Sequence, residues 1–293
     1  MDGATFAAPA LAPGLYVTST PIGNLRDVTL RALATLAAAD IVACEDTRIT
    51  SRLTRHYGID TPLLPYHEHN AERQRPKLLA ALTEGQAVAL VSDAGTPLVS
   101  DPGYRLVGEV LAAGHAVIPI PGPSALLAGL AGAGMPTDAF LFAGFLPPKE
   151  TARKKRLAEL AAVPATLVFY ESPQRTAASL RDMAEILGRD RPATVARELT
   201  KAFETFRRGS LDALAAAFAD EAPPKGEITI LVGPPTATEP PGEEAIDDAL
   251  RAALADASVG DAAAAVAAQT GLPKRVLYAR ALALKADATD DGE

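Results

Sequence analysis

The chain has 293 residues, a net charge of −8, no tryptophan and a single cysteine, Cys44. One cysteine excludes a disulfide framework or a thiolate metal cluster, an aromatic content of 5% argues against a dense base-stacking platform, and no run of 18 apolar residues offers a membrane span. Eleven acidic and five basic residues follow Pro235, so −6 of the charge lies there and −2 in the body before it.

The first strand is read at 15–19 (LYVTS), running into the polar glycine loop TPIGNL. A helix follows at 29–39 by leucine spacing, then a strand at 41–44 ending in Glu45-Asp46-Thr47-Arg48, and a helix at 48–56. A third strand at 63–66 leads into His67-Glu68-His69-Asn70 and a helix at 71–84. Residues 87–91 (AVALV) form a continuous apolar run, as a buried parallel strand does. They end in SDAGTP. Asp101 and Pro102 stand as cap and first residue of a helix through 113. The fifth strand, 116–120, ends in PGPS, where another helix begins.

This alternation implies a mainly parallel, helix-covered sheet with five polar loops on one edge, where open α/β sheets bind ligands. After the glycine-rich stretch 132–138 the rhythm restarts: strands at 140–145, 165–170, 193–197, 204–208 and 227–232, with helices at 150–162, 173–187 and 210–219. The hairpin within this half makes its sheet mixed. A proline-rich stretch, PPTATEPPGE, precedes helical segments near 243–256, 259–269 and 273–285, in a helix-turn-helix-like pattern that any small bundle would share. The expected organisation is a disordered 1–13, α/β domains at 14–133 and 134–235, a linker at 236–243, a small helical domain at 244–285 and a disordered 286–293.

No GxGxxG follows a strand, and GxxxxGK[ST], GxSxG, HExxH and CxxC are all missing. Those gaps count against a Rossmann site, a P-loop, a hydrolase elbow and a metal centre; His67 and His69 read better as part of a polar substrate loop. Three basic clusters stand out in the body: Arg48, Arg52 and Arg55; Lys149 with Arg153, Lys154, Lys155 and Arg156; and Arg197, Lys201, Arg207 and Arg208. Taken singly, each reads as a solvated face; together they are candidate phosphate contacts.

In order, TPIGNL, CEDTR, SDAGTPLVSDPG, PGPSA, FAGFLPPK, YESPQR, ARELTK and GEITILVG resemble the tetrapyrrole-methylase-like superfamily of S-adenosylmethionine-dependent methyltransferases, over residues 14–235 almost continuously. The resemblance implies two α/β domains with the cofactor cleft between them; the N-terminal segment, without basic residues, is a poor signal peptide, so a cytoplasmic protein is expected. The resemblance is strongest to members that methylate the ribose 2′-hydroxyl of a cytidine in the decoding region of 16S rRNA in the small ribosomal subunit. The helical tail resembles those members' C-terminal domain, and a homodimer is implied. By the same resemblance Asp93, Ala94, Gly95, Thr96 and Pro97 face the cofactor's methionine and ribose. Pro121, Ser124 and Ala125 continue that wall, and Phe142, Tyr170, Ala196, Leu199 and Thr229 surround the adenine. Pro21 and Gly23 occupy the first glycine-proline loop.

Methyl transfer needs a positioned nucleophile more than an activated electrophile, and no metal. A ribose hydroxyl is a weak acid, so a base or cation beside it helps. Glu198 and Lys201, three apart after a strand, share a face if the segment turns helically. Glu198 then accepts the proton, or Lys201 does if its pKa is lowered; a purely structural ion pair is the equal alternative. Glu45, Asp46 and Arg48 form a second polar cluster, with Arg48 suited to a phosphate, and Lys149, Lys154 and Arg175 add candidate backbone contacts. Two other functions compete: a tetrapyrrole C-methylase, and a non-catalytic RNA-binding module using the tail.

Overall fold

The structure, a computed structural model, describes residues 8–98, 104–235, 243–270 and 272–290. The chain divides into two compact units, Met1–Pro235 and Thr236–Glu293.

In the first half of unit one, β1 (Gly14–Thr18), β2 (Ile41–Cys44), β3 (Leu63–Pro65), β4 (Ala87–Val91) and β5 (Val117–Ile120) pair in the order β3-β2-β4-β1-β5. Every pairing is parallel. All five strands therefore end on one edge. The central strands β1 and β4 are buried along their whole length, which is why they read as unbroken apolar runs. Alternation along the strands then sorts side chains to two faces. Ala43, Val88 and Leu90 pack with Leu78 of α3 (Ala71–Thr83) and Leu106 of α4 (Tyr104–Ala112). Val42, Cys44, Ala89 and Val91 pack with Leu36 of α1 (Leu30–Ala38) and Leu53 of α2 (Thr47–His56). Thr29 and Asp46 cap α1 and α2 by accepting from the backbone N–H of Ala32 and Arg48. The proposed cap at Asp101 and first-turn Pro102 lie outside the described residues.

The second half supplies β6 (Phe140–Phe145), β7 (Thr166–Glu171), β8 (Pro192–Arg197), β9 (Thr205–Ser210) and β10 (Ile228–Val232), in the order β6-β7-β10-β8-β9. Only β6 and β7 run parallel; the other three pairs are antiparallel. One face buries Leu167, Phe169, Val195 and Ile230 under α6 (Glu150–Leu160), α7 (Thr176–Leu187) and α8 (Leu211–Ala219). The opposite face buries Val168, Ala196 and Leu231 against Leu130 and Ala133 of α5 (Ala125–Ala133), together with Ile22 from the loop after β1. The end of the first half is thus seated on the sheet of the second. The helix expected at 173–187 opens instead as a 3-10 turn, Pro173–Arg175, before α7.

Residues 1–7 lie outside the described residues, but the remainder of the segment expected to be disordered through 13 is placed: half-buried Leu11 packs near Val28, and the Tyr16 hydroxyl donates to Ala12 O at 2.9 Å. In unit two, α9 (Glu243–Leu254), α10 (Val259–Thr270) and α11 (Lys274–Asp290) enclose Ile246, Leu250, Val266 and Leu277. Arg280 of α11 binds Asp247 of α9. The last helix extends past 285, where the apolar pattern ended; the linker 236–242 and the turn residue Gly271 are outside the described residues. Among the described residues no helix is long and apolar enough to cross a membrane.

Candidate active site

The loops after β1, β4 and β5 are tied to one another. Thr20 and Gly95 exchange backbone hydrogen bonds of 2.9 and 3.0 Å, and the Thr20 hydroxyl donates to Ser92 O at 3.1 Å. The Ser19 and Thr96 hydroxyls lie 3.0 Å apart, and Thr96 donates to Pro123 O at 3.4 Å. Parallel strands bring these polar turns together, and the turns then satisfy each other's backbone groups.

Two cavities flank this assembly. The first, about 350 Å3, lies between the two halves of unit one. Ala94, Gly95, Thr96, Ser124 and Ala125 form one wall; Phe145, Tyr170, Glu171, Ile228 and Thr229 form the other, with Ile22 between. The second, about 260 Å3, is lined by Pro21, Gly23, Thr50, Arg52, Asp93 and Lys201 among others. Ile22, Ala94 and Glu227 border both. The first cavity suits an adenosyl group: apolar Ile22, Phe145, Tyr170 and Ile228 offer flat contact, while backbone of the Ala94–Thr96 turn and hydroxyls of Ser124 and Thr229 offer polar partners. Ser124 makes no side-chain cap bond to α5, and Tyr170 Oη accepts from Leu126 N at 3.1 Å, fixing the helix entry against the far wall.

Lys201 occupies the junction. Its Nζ lies 2.8 Å from Glu198 Oε1 and 3.1 Å from Glu227 Oε2. The segment joining Glu198 to Lys201 is no helix. Glu198 and Thr200 adopt φ of 53° and 67°, a left-handed conformation that costs roughly 1–3 kcal/mol per non-glycine residue. Lys201 N bonds Glu198 O at 3.0 Å, and Glu204 Oε2 accepts from Thr200 N at 2.6 Å, closing the turn. Burial works against the Lys201 ammonium, but hydrogen bonds to Glu198 and Glu227 outweigh it and raise its pKa above the usual lysine value. The Lys201 hydrogen bond holds Glu198 below the usual glutamate value. Both shifts favour the charged forms of the pair.

Along this loop Ala94, Gly95 and Thr96 line the first cavity, and Ser92, Asp93 and Ala94 the second. Asp93 Oδ1 accepts from Asp46 N at 2.9 Å. Burial, with the Asp46 charge beside it, pushes the Asp93 carboxyl upward. Asp46 is held down to about 2 by hydrogen bonds from Arg48, whose guanidinium forks onto both its oxygens while its side chain stays 87% exposed.

The remaining expected residues divide by position. Phe142 backs the cavity wall, its ring 4.8 Å from that of Tyr170. Ala196 and Leu199 are buried behind the wall in the apolar cluster with Ile22. Pro97, buried, and Pro121, exposed, line neither cavity. Glu45, at the end of β2, is half-buried and also outside both linings. Lys149 is the exposed N-cap residue of α6. Lys154 is held by Glu150 at 3.1 Å and Glu185 at 2.8 Å. Arg175 is bound to Glu171 at 2.7 Å, beside the first cavity, and also to Leu146 O at 3.1 Å. Arg153, counted in the same basic cluster, is buried against Asp182 at 2.6 Å. Lining residues that the sequence reading did not place at the site include Ile22, Phe145, Glu171, Gly226, Glu227 and Arg52. Five of them stand within or beside motifs already singled out, TPIGNL, FAGFLPPK, YESPQR and GEITILVG; Arg52 belongs to the first basic cluster. Among the described residues no group of three or more His, Cys, Asp or Glu side chains converges as a metal site would require.

This fold and cleft define a class. Residues 14–215 match the Tetrapyrrole (Corrin/Porphyrin) Methylases family, so the chain belongs to a family of S-adenosylmethionine-dependent methyltransferases. Residues 240–285 match the RsmI C-terminal HTH domain. The chain is 56% identical, over 98% of its length and 97% of the relative's, to the ribosomal RNA small subunit methyltransferase I of Mesorhizobium japonicum. It is 46% identical to the protein of that name from Synechocystis, over 93% of its own length and 99% of the relative's. A solved uroporphyrin-III C-methyltransferase from Thermus thermophilus, complexed with S-adenosylhomocysteine, shares the fold at 21% identity and a TM-score of 0.52, over 74% of this chain and 96% of that one.

Proposed function

We propose that the chain uses S-adenosylmethionine to methylate the ribose 2′-hydroxyl of a cytidine in the decoding region of 16S rRNA, acting on the small ribosomal subunit as a cytoplasmic homodimer. The observation that carries this reading is the pair of cavities meeting at Ile22, Ala94 and Glu227: one suited to an adenosyl group, the other carrying Arg52, Asp93 and Lys201 and open to a second reactant. The names of the relatives supply the substrate class.

When bound, S-adenosylmethionine supplies a methyl carbon made electrophilic by its sulfonium. The chain's residues do the rest. Ile22, Phe145, Tyr170 and Ile228 give the first cavity apolar walls, and the turn at Ala94–Thr96 orients what lies there. Lys201, charged and anchored by Glu198 and Glu227, stabilises negative charge growing on an attacking oxygen in the second cavity. Arg48 and Arg52 on α2 present exposed guanidinium groups suited to RNA phosphate.

The test is incubation of purified protein with labelled cofactor and small ribosomal subunits, followed by nucleoside mass spectrometry. Label in 2′-O-methylcytidine from the decoding region is the expected outcome. Label elsewhere in the rRNA overturns the position, and label in uroporphyrinogen with none in the subunit selects the tetrapyrrole reading. Sedimentation of the purified chain at a monomer's mass overturns the dimer.

A further inference from the structure

We propose that the outer face of α2 is the track along which single-stranded RNA reaches the second cavity, with Arg52 and Arg55 on its phosphates and Ile49 against the base at the cavity mouth. This rests on the reading of the second cavity as the acceptor's position. Thr50, Leu53 and Thr54 form the buried side of α2. At about 100° per residue, Arg48, Arg52 and Arg55 fall within roughly 60° of arc opposite that side, in a stripe about 10 Å long. All three are exposed. The ten residues of the helix include no acid, in a chain whose net charge is −8.

The three cations are not equivalent. The Arg48 guanidinium forks onto both oxygens of Asp46, which offsets its charge. Arg52 and Arg55 enter no ion pair among the described residues. An anion bound at these two displaces no existing partner. Arg52 also lines the second cavity, as Lys201 does. An anionic chain that follows the stripe is therefore delivered to the cavity.

Ile49 says what form that chain takes. It is 41% exposed, lies between the stripe and the buried side, and joins Leu25 and Leu53 in the cavity lining. A large apolar side chain left in water beside arginines gains by covering the face of an unstacked base. The lining contains no aromatic ring, so this aliphatic patch is its apolar contact for a base. An A-form duplex displays its 2′-hydroxyls along a broad, shallow groove. Such a convex edge cannot enter a concave space of about 260 Å3, whereas an unpaired nucleotide can.

The test uses the full-length protein and a short, labelled, single-stranded RNA containing cytidine, alone and annealed to its complement, with binding read by anisotropy across a salt series. Wild type should bind the single strand at least about 10-fold more tightly than the duplex. Arg52→Gln with Arg55→Gln should lower the slope of log K against log salt by about 1.4, or about 0.7 for each phosphate lost. Arg52→Lys with Arg55→Lys keeps both charges and should restore the slope. Arg189→Gln removes a cation 75% exposed in the turn before β8, at the opposite end of that strand from Lys201, and should leave the slope unchanged. Ile49→Ala should weaken the single strand about threefold with the slope unchanged, roughly the worth of one buried methylene. S-adenosylhomocysteine should bind every variant as it binds wild type, by calorimetry. Equal affinity for duplex, a wild-type slope in the double glutamine variant, or an equal fall in Arg189→Gln overturns the proposal. So does loss of S-adenosylhomocysteine binding in the glutamine variant, which returns this face to the cofactor site. An α2-dependent slope in a protein that methylates no small subunit overturns the functional reading alone.

Discussion

Lys201 lies across Gly23: a Cβ added at Gly23 would stand 2.5 Å from Lys201 Cε and 2.6 Å from its Cγ. The glycine, at φ 142°, leaves the space in which the lysine stem reaches from the second half of the unit to the loop after β1. Its counterpart is Gly226, at φ 96°, over which the Glu198 carboxylate is packed. Gly23→Ala should displace the ammonium from the second cavity. The expected result is a drop in kcat of about 10-fold or more with KM for the cofactor little changed, because the lost interaction belongs to the transition state. Unchanged steady-state kinetics would mean that the lysine's position is immaterial.

The charge on Asp93 has a stability consequence. Its folded pKa is raised, so its contribution favours folding below the unfolded pKa and is lost as pH rises through the folded value. At neutral pH the ionised group opposes folding. Asp93→Asn keeps an acceptor for Asp46 N–H and removes the charge, so its Tm at pH 7 should equal or exceed that of wild type. The advantage should vanish on acidification past the Asp93 titration. A thermal melt series from pH 7 to pH 4 checks both the sign and the crossover.

Asp46 behaves in the opposite sense. Its pKa is depressed to about 2 by Arg48 hydrogen bonding, so its capping of α2 persists through neutral and mildly acidic pH and is lost only as pH falls from the ordinary 3.8 toward about 2. A carboxylate NMR titration should find its midpoint at about 2. Removing the Arg48 guanidinium as Arg48→Met should bring that titration back toward 3.8.

Arg153 and Asp182 form an ion pair with side chains 4% and 0% exposed, and Arg153 also donates to Pro148 O at 3.1 Å. Asp182→Ala leaves a buried guanidinium without its charge partner and should cost about 3–5 kcal/mol, read by urea unfolding. Arg153→Met with Asp182→Leu should recover most of that loss. Affinity for RNA should not change in the double variant, since neither group is accessible; a weakened RNA complex would return Arg153 to the binding surface.

Tyr170→Phe keeps the ring that meets Phe142 and Phe145 but loses the acceptor for Leu126 N. The cost of a lost neutral hydrogen bond within the protein, about 1 kcal/mol, falls on stability and is read by urea unfolding, with the cofactor Kd by calorimetry within about fivefold of wild type. A tenfold or greater loss would mean that the hydroxyl itself meets the ligand.

The parallel sheet was legible because its apolar strands each end in a turn rich in glycine, proline or small polar residues, as at Val91-Ser92-Asp93. The meeting of Glu198 with Lys201 was also legible, but from the wrong geometry. The helical spacing of three suggested it, whereas two non-glycine residues at positive φ deliver it, and no residue type marks that conformation at Glu198 or Thr200. That Asp93 lines only the second cavity and Gly95 only the first was not legible at all. Neighbours in an irregular turn obey no period, and the turn's course is set by its pairing with Thr20, 75 residues earlier. In the basic cluster at 149–156 the partners are likewise nonlocal. Arg153 and Lys154 find their acids on α7, at Asp182 and Glu185, and such nonlocal partners decide whether a cation is available to RNA.

The exchange of backbone hydrogen bonds between Thr20 and Gly95 makes Ile22 and Ala94, which border both cavities, neighbours on one plate. On the proposed reading of the two cavities, donor and acceptor preferences consequently cannot drift independently. A substitution that re-aims either turn is felt by both reactants at once, and most such changes will be tolerated only alongside a compensating change in the other turn. Libraries meant to retrain this enzyme toward a synthetic methyl donor should therefore vary 20–23 and 93–96 jointly, because the beneficial combinations are epistatic and single-site scans will miss them.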